Sequence, residues 1–396
     1  MSSHVPPALA NLRILDLTRV RAGPTCCRVF ADFGADVIKI EAPPGVDPNE
    51  GMSGARDGSD MLNLHRNKRS ITLNLKTPAG LEVFKRLVAT ADVVVENFRP
   101  DVKERLGIAY EDLKAVNPRI ILASISGFGQ SGPYRTRAGF DQIAQGMGGL
   151  MWVTGLPGQG PVRAGIAVAD TSAGLYAAIG ILVALAERER SGEGQWVQSS
   201  LLQAQIAMMD FQAARYLVEG VVPQQAGNDH PYSTPMGVVR TADGFINIAV
   251  GGQGQWKAFC VAIGRPELTD DPRYATLDLR FKNRPSLNTL LADIFATRAS
   301  QAWLEALEKA GVPAGPIYKM DDVFADPQVQ HLGIATSVQG DDGKEVTLVG
   351  QPIGLSRTPA QFKALLPEAG ADNDAVLGEL GFDASAIEGL RKEHVI

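Results

Sequence analysis

The amino-acid sequence predicts an α/β protein. A large domain carries an open parallel sheet of the Rossmann-like kind, and a smaller α+β domain follows it. Three observations lead there. Short β-prone runs alternate with helical stretches as far as Ser126, as in parallel sheets with crossover helices. Those runs are nearly continuous in Val, Ile and Leu, which suits strands covered on both faces. Near Val221 the character changes, and Pro223, Gly227, Asn228, Pro231 and Pro235 form a linker.

Arg13–Thr18 reads as the first strand, and a helical pattern then runs from Gly23-Pro24 to Phe33, closed by Gly34. Asp36–Glu41 is the second strand. Thr77-Pro78 opens a helix with Pro at its first position, running through Leu87. Asp92–Asn97 is a strand, 112–116 a short helix and Arg119–Ser126 a strand. Gly127–Gly165 is loop-rich. A long helix follows from Asp170 to about Arg190, then a strand at Gln195–Ser200 and a helix at 201–218. Beyond the linker, Phe245–Val250 is a strand, with helices near 255–263, 286–296 and 300–310. Glu345–Val349 is strand-like and the tail is helical. The expected division is a large domain over 1–222, a small domain over 223–330, and a segment over 331–396 that returns to the large domain.

Composition narrows the function. The 396 residues are 45% hydrophobic and 21% charged, which excludes a mainly disordered chain. With 38 Lys+Arg against 44 Asp+Glu the net charge is −6, so no nucleic-acid partner is expected. Met1–Pro7 has no signal-peptide pattern. The apolar run Thr171–Ala186 is shorter than the ~20 residues a membrane span needs, so a buried helix and no membrane partner are expected. The 3 cysteines, Cys26, Cys27 and Cys260, form no C-x-x-C, which points to a reducing cytoplasm. The 5 His are scattered, and no metal site is expected.

Gly127-Phe-Gly-Gln-Ser-Gly132 matches G-x-G-x-x-G after a strand, but Pro133 and Tyr134 follow where a dinucleotide fold needs a helix. A glycine loop beside a site fits better. Asp170 ends an apolar run and precedes a helix. It reads either as an N-cap or, in the same geometry, as an ionised carboxylate able to act as a covalent nucleophile. Gly251-Gly-Gln-Gly254 is either a strand–helix turn or a loop that closes over a reactive intermediate. Asn67–Ser70 with Lys76, and Arg99, Lys103 and Arg105, are either solvated charge or phosphate-binding bases near strand ends.

These segments together resemble the family III CoA transferases, the formyl-CoA and carnitine–CoA transferase group. The marks are Arg21-Ala-Gly-Pro24, Gly34–Glu41, Asn67-Lys-Arg-Ser70, Leu75-Lys-Thr-Pro78, Asp92–Phe98, Asn117–Ser124, Gly127–Tyr134 and Gly311-Val-Pro-Ala-Gly-Pro316. The resemblance implies CoA transfer from an acyl-CoA to a free carboxylic acid. It proceeds through an aspartyl–acyl anhydride and an aspartyl-CoA thioester on Asp170, with CoA as substrate and no tightly bound cofactor. It implies an interlocked-ring homodimer. By position it implies CoA contacts at Val20, Ala22, Leu73, Lys76, Asn97, Phe98 and Arg105, and a second acid near the acyl site at Asp141. Gly252 and Gly254 would lie over the intermediate. Arg137 is counted with the CoA contacts. With Arg21 it suggests an acceptor bearing a further carboxylate, with succinyl-CoA as the expected donor.

The departures are informative. Arg21 stands where formyl-CoA transferase has Gln, which argues against formyl or oxalyl specificity. Ala42 replaces a basic residue, and the glycine run is shorter. Related acyl-CoA racemases carry His before the acid at 140–141. Here the pair is Phe140-Asp141, so transferase is expected over racemase. A non-catalytic CoA-binding protein fits less well, because Asp170 and the glycine run are both kept.

Overall fold

The computed structural model describes residues 5–47, 51–340 and 343–396. The chain divides into two compact units. One comprises Met1–Leu150, Ala164–Val218 and Gln330–Ile396, and the other Met151–Arg163 and Glu219–Val329. Residues 151–163, expected in the large domain, cluster with the second unit, and the division expected at 222/223 falls at 218/219.

In the first unit, β1 (Arg13–Asp16), β2 (Asp36–Glu41), β3 (Arg69–Thr72), β4 (Val93–Glu96), β5 (Ile121–Ser126) and β6 (Trp196–Ser200) make one parallel sheet. The order is β3-β2-β1-β4-β5-β6, the doubly wound order that reverses between β1 and β4. Its helices are α1 (Ala22–Asp32), α2 (Ser59–His65), α3 (Pro78–Thr90), α4 (Pro100–Leu106), α5 (Tyr110–Val116), α6 (Asp141–Met147), α8 (Val168–Ser191), α9 (Leu201–Met208) and α10 (Asp210–Glu219), while α7 (Leu150–Val153) falls mostly in the second unit.

Period-two alternation divides each strand between two cores. Ile14, Val37, Val93, Val95 and Ile121 join α1 and α8 on one face. Leu15, Ile38, Val94 and Leu122 join α3 and the C-terminal helices on the other. Thr77 caps α3 by accepting a hydrogen bond from the Gly80 N–H at 3.1 Å, with Pro78 at the first position as expected.

Two elements depart from expectation. β3 was not expected, because its basic residues read as surface charge. It is an edge strand whose Ser70 and Thr72 N–H groups donate to Asp372 (2.7 Å) and Asn373 (2.9 Å), so the C-terminal segment seals the edge. The 201–218 helix is two helices, broken where Asp210 takes φ +41. The long helix expected from Asp170 to about Arg190 is α8, whose 24 residues are enough to cross a membrane by length and composition. Its Ala169, Ala173, Ala177 and Ile181 are nevertheless buried in the core.

In the second unit, β7 (Met236–Arg240), β8 (Phe245–Ala249) and β9 (Ala314–Pro316) form an antiparallel sheet. It is accompanied by α11 (Gln253–Ala262), α12 (Leu277–Lys282), α13 (Arg284–Phe295) and α14 (Ser300–Lys309). The core is aromatic, with Trp256, Phe259, Phe295 and Trp303 fully buried. Farther along the chain come α15 (Met320–Ala325), α16 (Pro327–Leu332), the hairpin β10 (Ala335–Gln339) and β11 (Glu345–Val349), then α17 (Asn373–Glu379) and α18 (Ala384–Lys392).

Candidate active site

Open α/β sheets bind ligands beyond the strand C-termini where the strand order reverses, here after β1 and β4. The two segments leaving those strands are locked together. Asn97 accepts the Arg19 N–H at 3.0 Å and donates to the Arg19 carbonyl at 2.7 Å, as an added backbone partner would. Asp16 accepts the Thr18 N–H (2.9 Å) and hydroxyl (2.5 Å). Val20 takes φ +65, a strained conformation for a β-branched residue, and its N–H donates to Ser53 Oγ at 3.1 Å. The strain is held by these partners and sets where Arg21, the residue before α1, stands.

Beside this loop is a cavity of about 1030 Å³, large enough for a nucleotide-bearing cofactor. Leu73, Lys76, Phe98 and Arg105 line it, together with Arg19 and Lys39. The Lys76 ammonium donates to the Val46 carbonyl at 3.3 Å, and Arg105 lies 3.8 Å from Asp101 with its side chain 70% exposed, so both are accessible to an anion. The other expected bases are committed elsewhere. Lys68 is buried 2.7 Å from Asp16, Arg69 pairs with Asp36 and Glu379, and Lys103 is buried against Gln130 and Glu96. They serve the fold and are not phosphate ligands. Val20, Ala22 and Asn97 shape the loop without lining the cavity. Arg137 lies away from it, stacked on Tyr134 and Phe128 in the 127–139 loop.

Asp170 is the third residue of α8 and does not cap it, because Ala167 holds that position without a side-chain bond. The cap comes from Asp141 on α6. Its Oδ1 accepts the N–H groups of Ala169 (2.9 Å) and Asp170 (3.3 Å), and its Oδ2 accepts from Gln145 at 2.6 Å. Asp141 is thereby a buried positioning group for the first turn of α8. Asp170 is left half-buried. Among the described residues no hydrogen bond or ion pair engages its carboxylate. Burial first and the Asp141 charge second raise its pKa, Arg21 opposes both, and the net is about 6. Gly174, one turn along α8, explains Arg21's approach: a Cβ there would fall 2.2 Å from the Ala22 carbonyl oxygen, so α8 presses on the first turn of α1.

Gly252 and Gly254 belong to the second unit. Gly252 is the N-cap of α11 and Gly254 lies in its first turn, so the run is a strand-to-helix turn, with Gly251 N–H donating to Gln255 at 2.8 Å. A Cβ at either glycine would meet no atom within 4 Å, so packing does not require glycine there.

Sequence reasoning missed Arg19, Lys39 and Ser53 at the cavity, and Asp60, which pairs with Arg21 at 2.6 Å. Only chain proximity to Arg21 pointed to Arg19. Nothing local marked the others.

A doubly wound sheet with a nucleotide-sized cavity at its switch point, and a carboxylate on α8 that burial destabilises, fit an enzyme acting on a nucleotide-bearing substrate. The chain belongs to CoA-transferase family III, whose profile matches residues 9–373, and it is a CoA-transferase. It is 41% identical over 389 residues to the succinate–glutarate CoA-transferase of Agrobacterium fabrum, covering 96% of this chain and 97% of that one. It is 36% identical to the succinyl-CoA:glutarate CoA-transferase of Homo sapiens (98% and 90%), and 37% to the succinyl-CoA–D-citramalate CoA-transferase of Chloroflexus aurantiacus (100% of each). Among solved structures, a CAIB/BAIF family protein from Brucella suis matches with TM-score 0.82 and 38% identity over 95% of this chain and 100% of that one.

Proposed function

We propose that the protein transfers CoA from succinyl-CoA to a free dicarboxylic acid through covalent intermediates on Asp170. The observation that carries this is the Asp170 carboxylate itself: half-buried, without a partner among the described residues, and held by its backbone where the Arg21 charge acts on it. The names of the relatives pair succinate or succinyl-CoA with glutarate or D-citramalate, which supports the substrate class.

Asp170 attacks the thioester carbonyl, the C–S bond breaks, and CoA thiolate leaves an aspartyl–succinyl anhydride. The thiolate then attacks the Asp170 carbonyl and expels succinate, giving an aspartyl-CoA thioester. The acceptor carboxylate attacks that thioester and displaces the thiolate. The thiolate takes the acceptor acyl group and returns Asp170 as carboxylate. No proton or water is consumed, so the site must exclude water while thioester and anhydride persist. With a pKa of about 6, Asp170 is still mostly ionised near neutrality yet more basic than a solvated carboxylate, which favours nucleophilic attack. Lys76 and Arg105 suit the CoA phosphates.

A homodimer is part of this reading. Leu175, Tyr176, Ile179, Leu182 and Val183 form an exposed apolar stripe on α8, better covered by a second copy than by lipid, since the opposite face of the helix belongs to a soluble-type core. A cytoplasmic site is proposed from three free, buried cysteines.

The test is incubation with a panel of acyl-CoAs, hydroxylamine trapping and mass spectrometry. A hydroxamate at Asp170 is expected. Transfer that survives in Asp170→Ala would overturn the assignment.

A further inference from the structure

Arg21 stands just before α1, and its guanidinium lies 2.6 Å from the Asp60 carboxylate on α2. The two side chains are 32% and 62% exposed. The pair is therefore a wet contact that costs little to exchange. Arg28 lies two turns along the same side of α1. Its Nε is buried without a partner, and among the described residues no acidic side chain pairs with it. Arg66, by contrast, is neutralised by Asp32 through two bonds of 2.8 and 2.7 Å. The α1–α2 side of the site thus keeps one positive charge more than its acids neutralise. Of these cations Arg21 is the one whose charge acts on Asp170, and Gly174 seats α8 against the carbonyl of the next residue, Ala22.

We propose that Arg21 reads the distal carboxylate of both substrates in turn: that of the succinyl donor in the first half-reaction, and that of the dicarboxylic acceptor in the second. Asp60 is its counter-ion between them. The proposal rests on Asp170 as the covalent nucleophile. Both acyl groups are then joined to the same side chain, so they occupy the same space at different times. One cation must serve both. The distal carboxyl carbon of a succinyl group lies about 4 Å from the reacting carbon, and that of a glutaryl group about 5 Å, by ordinary bond lengths. A long arginine side chain spans that difference, and its planar fork matches a carboxylate. Donor and acceptor selectivity are therefore one property, set by one residue.

The experiment compares matched pairs by kcat/KM: succinyl-CoA against butyryl-CoA as donor, and glutarate against pentanoate as acceptor. In Arg21→Gln the preference for the dicarboxylic member is expected to fall roughly 10- to 100-fold, by the same factor on both sides. Arg21→Lys should retain part of it, which separates charge reading from misfolding. Asp60→Asn should raise kcat/KM for the dicarboxylic members several-fold by freeing Arg21. Equal losses for mono- and dicarboxylic substrates would overturn the proposal, and so would a loss confined to donor or acceptor. Hydroxylamine trapping in the unsubstituted protein runs alongside: no adduct at Asp170 rejects the covalent reading itself, a separate result.

Discussion

Asp170→Asn should make the protein more stable and inactive at once. Asp170 ionises at about 6 instead of 3.8, because burial and the Asp141 charge disfavour its anion more than Arg21 favours it. Holding that anion in the folded protein costs roughly 3 kcal/mol well above pH 6. Below about pH 4 the cost vanishes, since the carboxyl is protonated in folded and unfolded chains alike. Asparagine keeps the shape and removes the charge. Solvent at the exposed rim screens part of the cost, and the loss of a favourable first-turn anion removes a few tenths more. The expected gain near pH 7.5 is therefore about 1–3 kcal/mol, a few degrees in Tm. It should shrink as the pH falls through 6 and disappear near 4. Thermal melts of both proteins across that range, with transfer assays alongside, measure it. A variant less stable than its parent near pH 7.5, or a Tm gap that does not change with pH, would refute the reasoning.

Three further outcomes are expected. Asp141→Asn keeps an acceptor for the Ala169 N–H and removes the like charge, so the acid limb of the kcat/KM profile should move to lower pH; Asp141→Ala should also cost about 1–2 kcal/mol by denaturation, through loss of the cap. Gly174→Ala drives a methyl into the Ala22 carbonyl and should destabilise by about 2 kcal/mol or more, whereas Gly252→Ala meets no atom within 4 Å and should melt like the parent, so any activity it loses reports on the reaction. Asn97→Ala releases both bonds to Arg19 and should raise the KM for acyl-CoA about tenfold with a smaller change in kcat.

Much of the architecture was legible because its signals are local. The Val-Val-Val run at 93–95 needs cover on both faces wherever it lies, and Thr77-Pro78 starts a helix through its own backbone geometry. The switch-point loop was also within reach, since Arg21 and Asn97 follow strands that the sequence marks plainly. Lys68 was not, because a basic run looks the same whether it faces water or meets Asp16 across 52 positions of chain. β3 was missed for the same reason.

The sequence by itself determined the alternation of strand and helix, the acid at the head of the long apolar helix, and the small supply of bases for a polyanionic substrate. The tertiary structure alone decided what the acids do. Asp170 looked like the cap of its helix, but Asp141, 29 positions earlier, supplies that cap and leaves the Asp170 carboxylate without a partner among the described residues. The physical reason is that a carboxylate's role depends on which donors and charges surround it. Those neighbours come together only when α1, α6 and α8 pack.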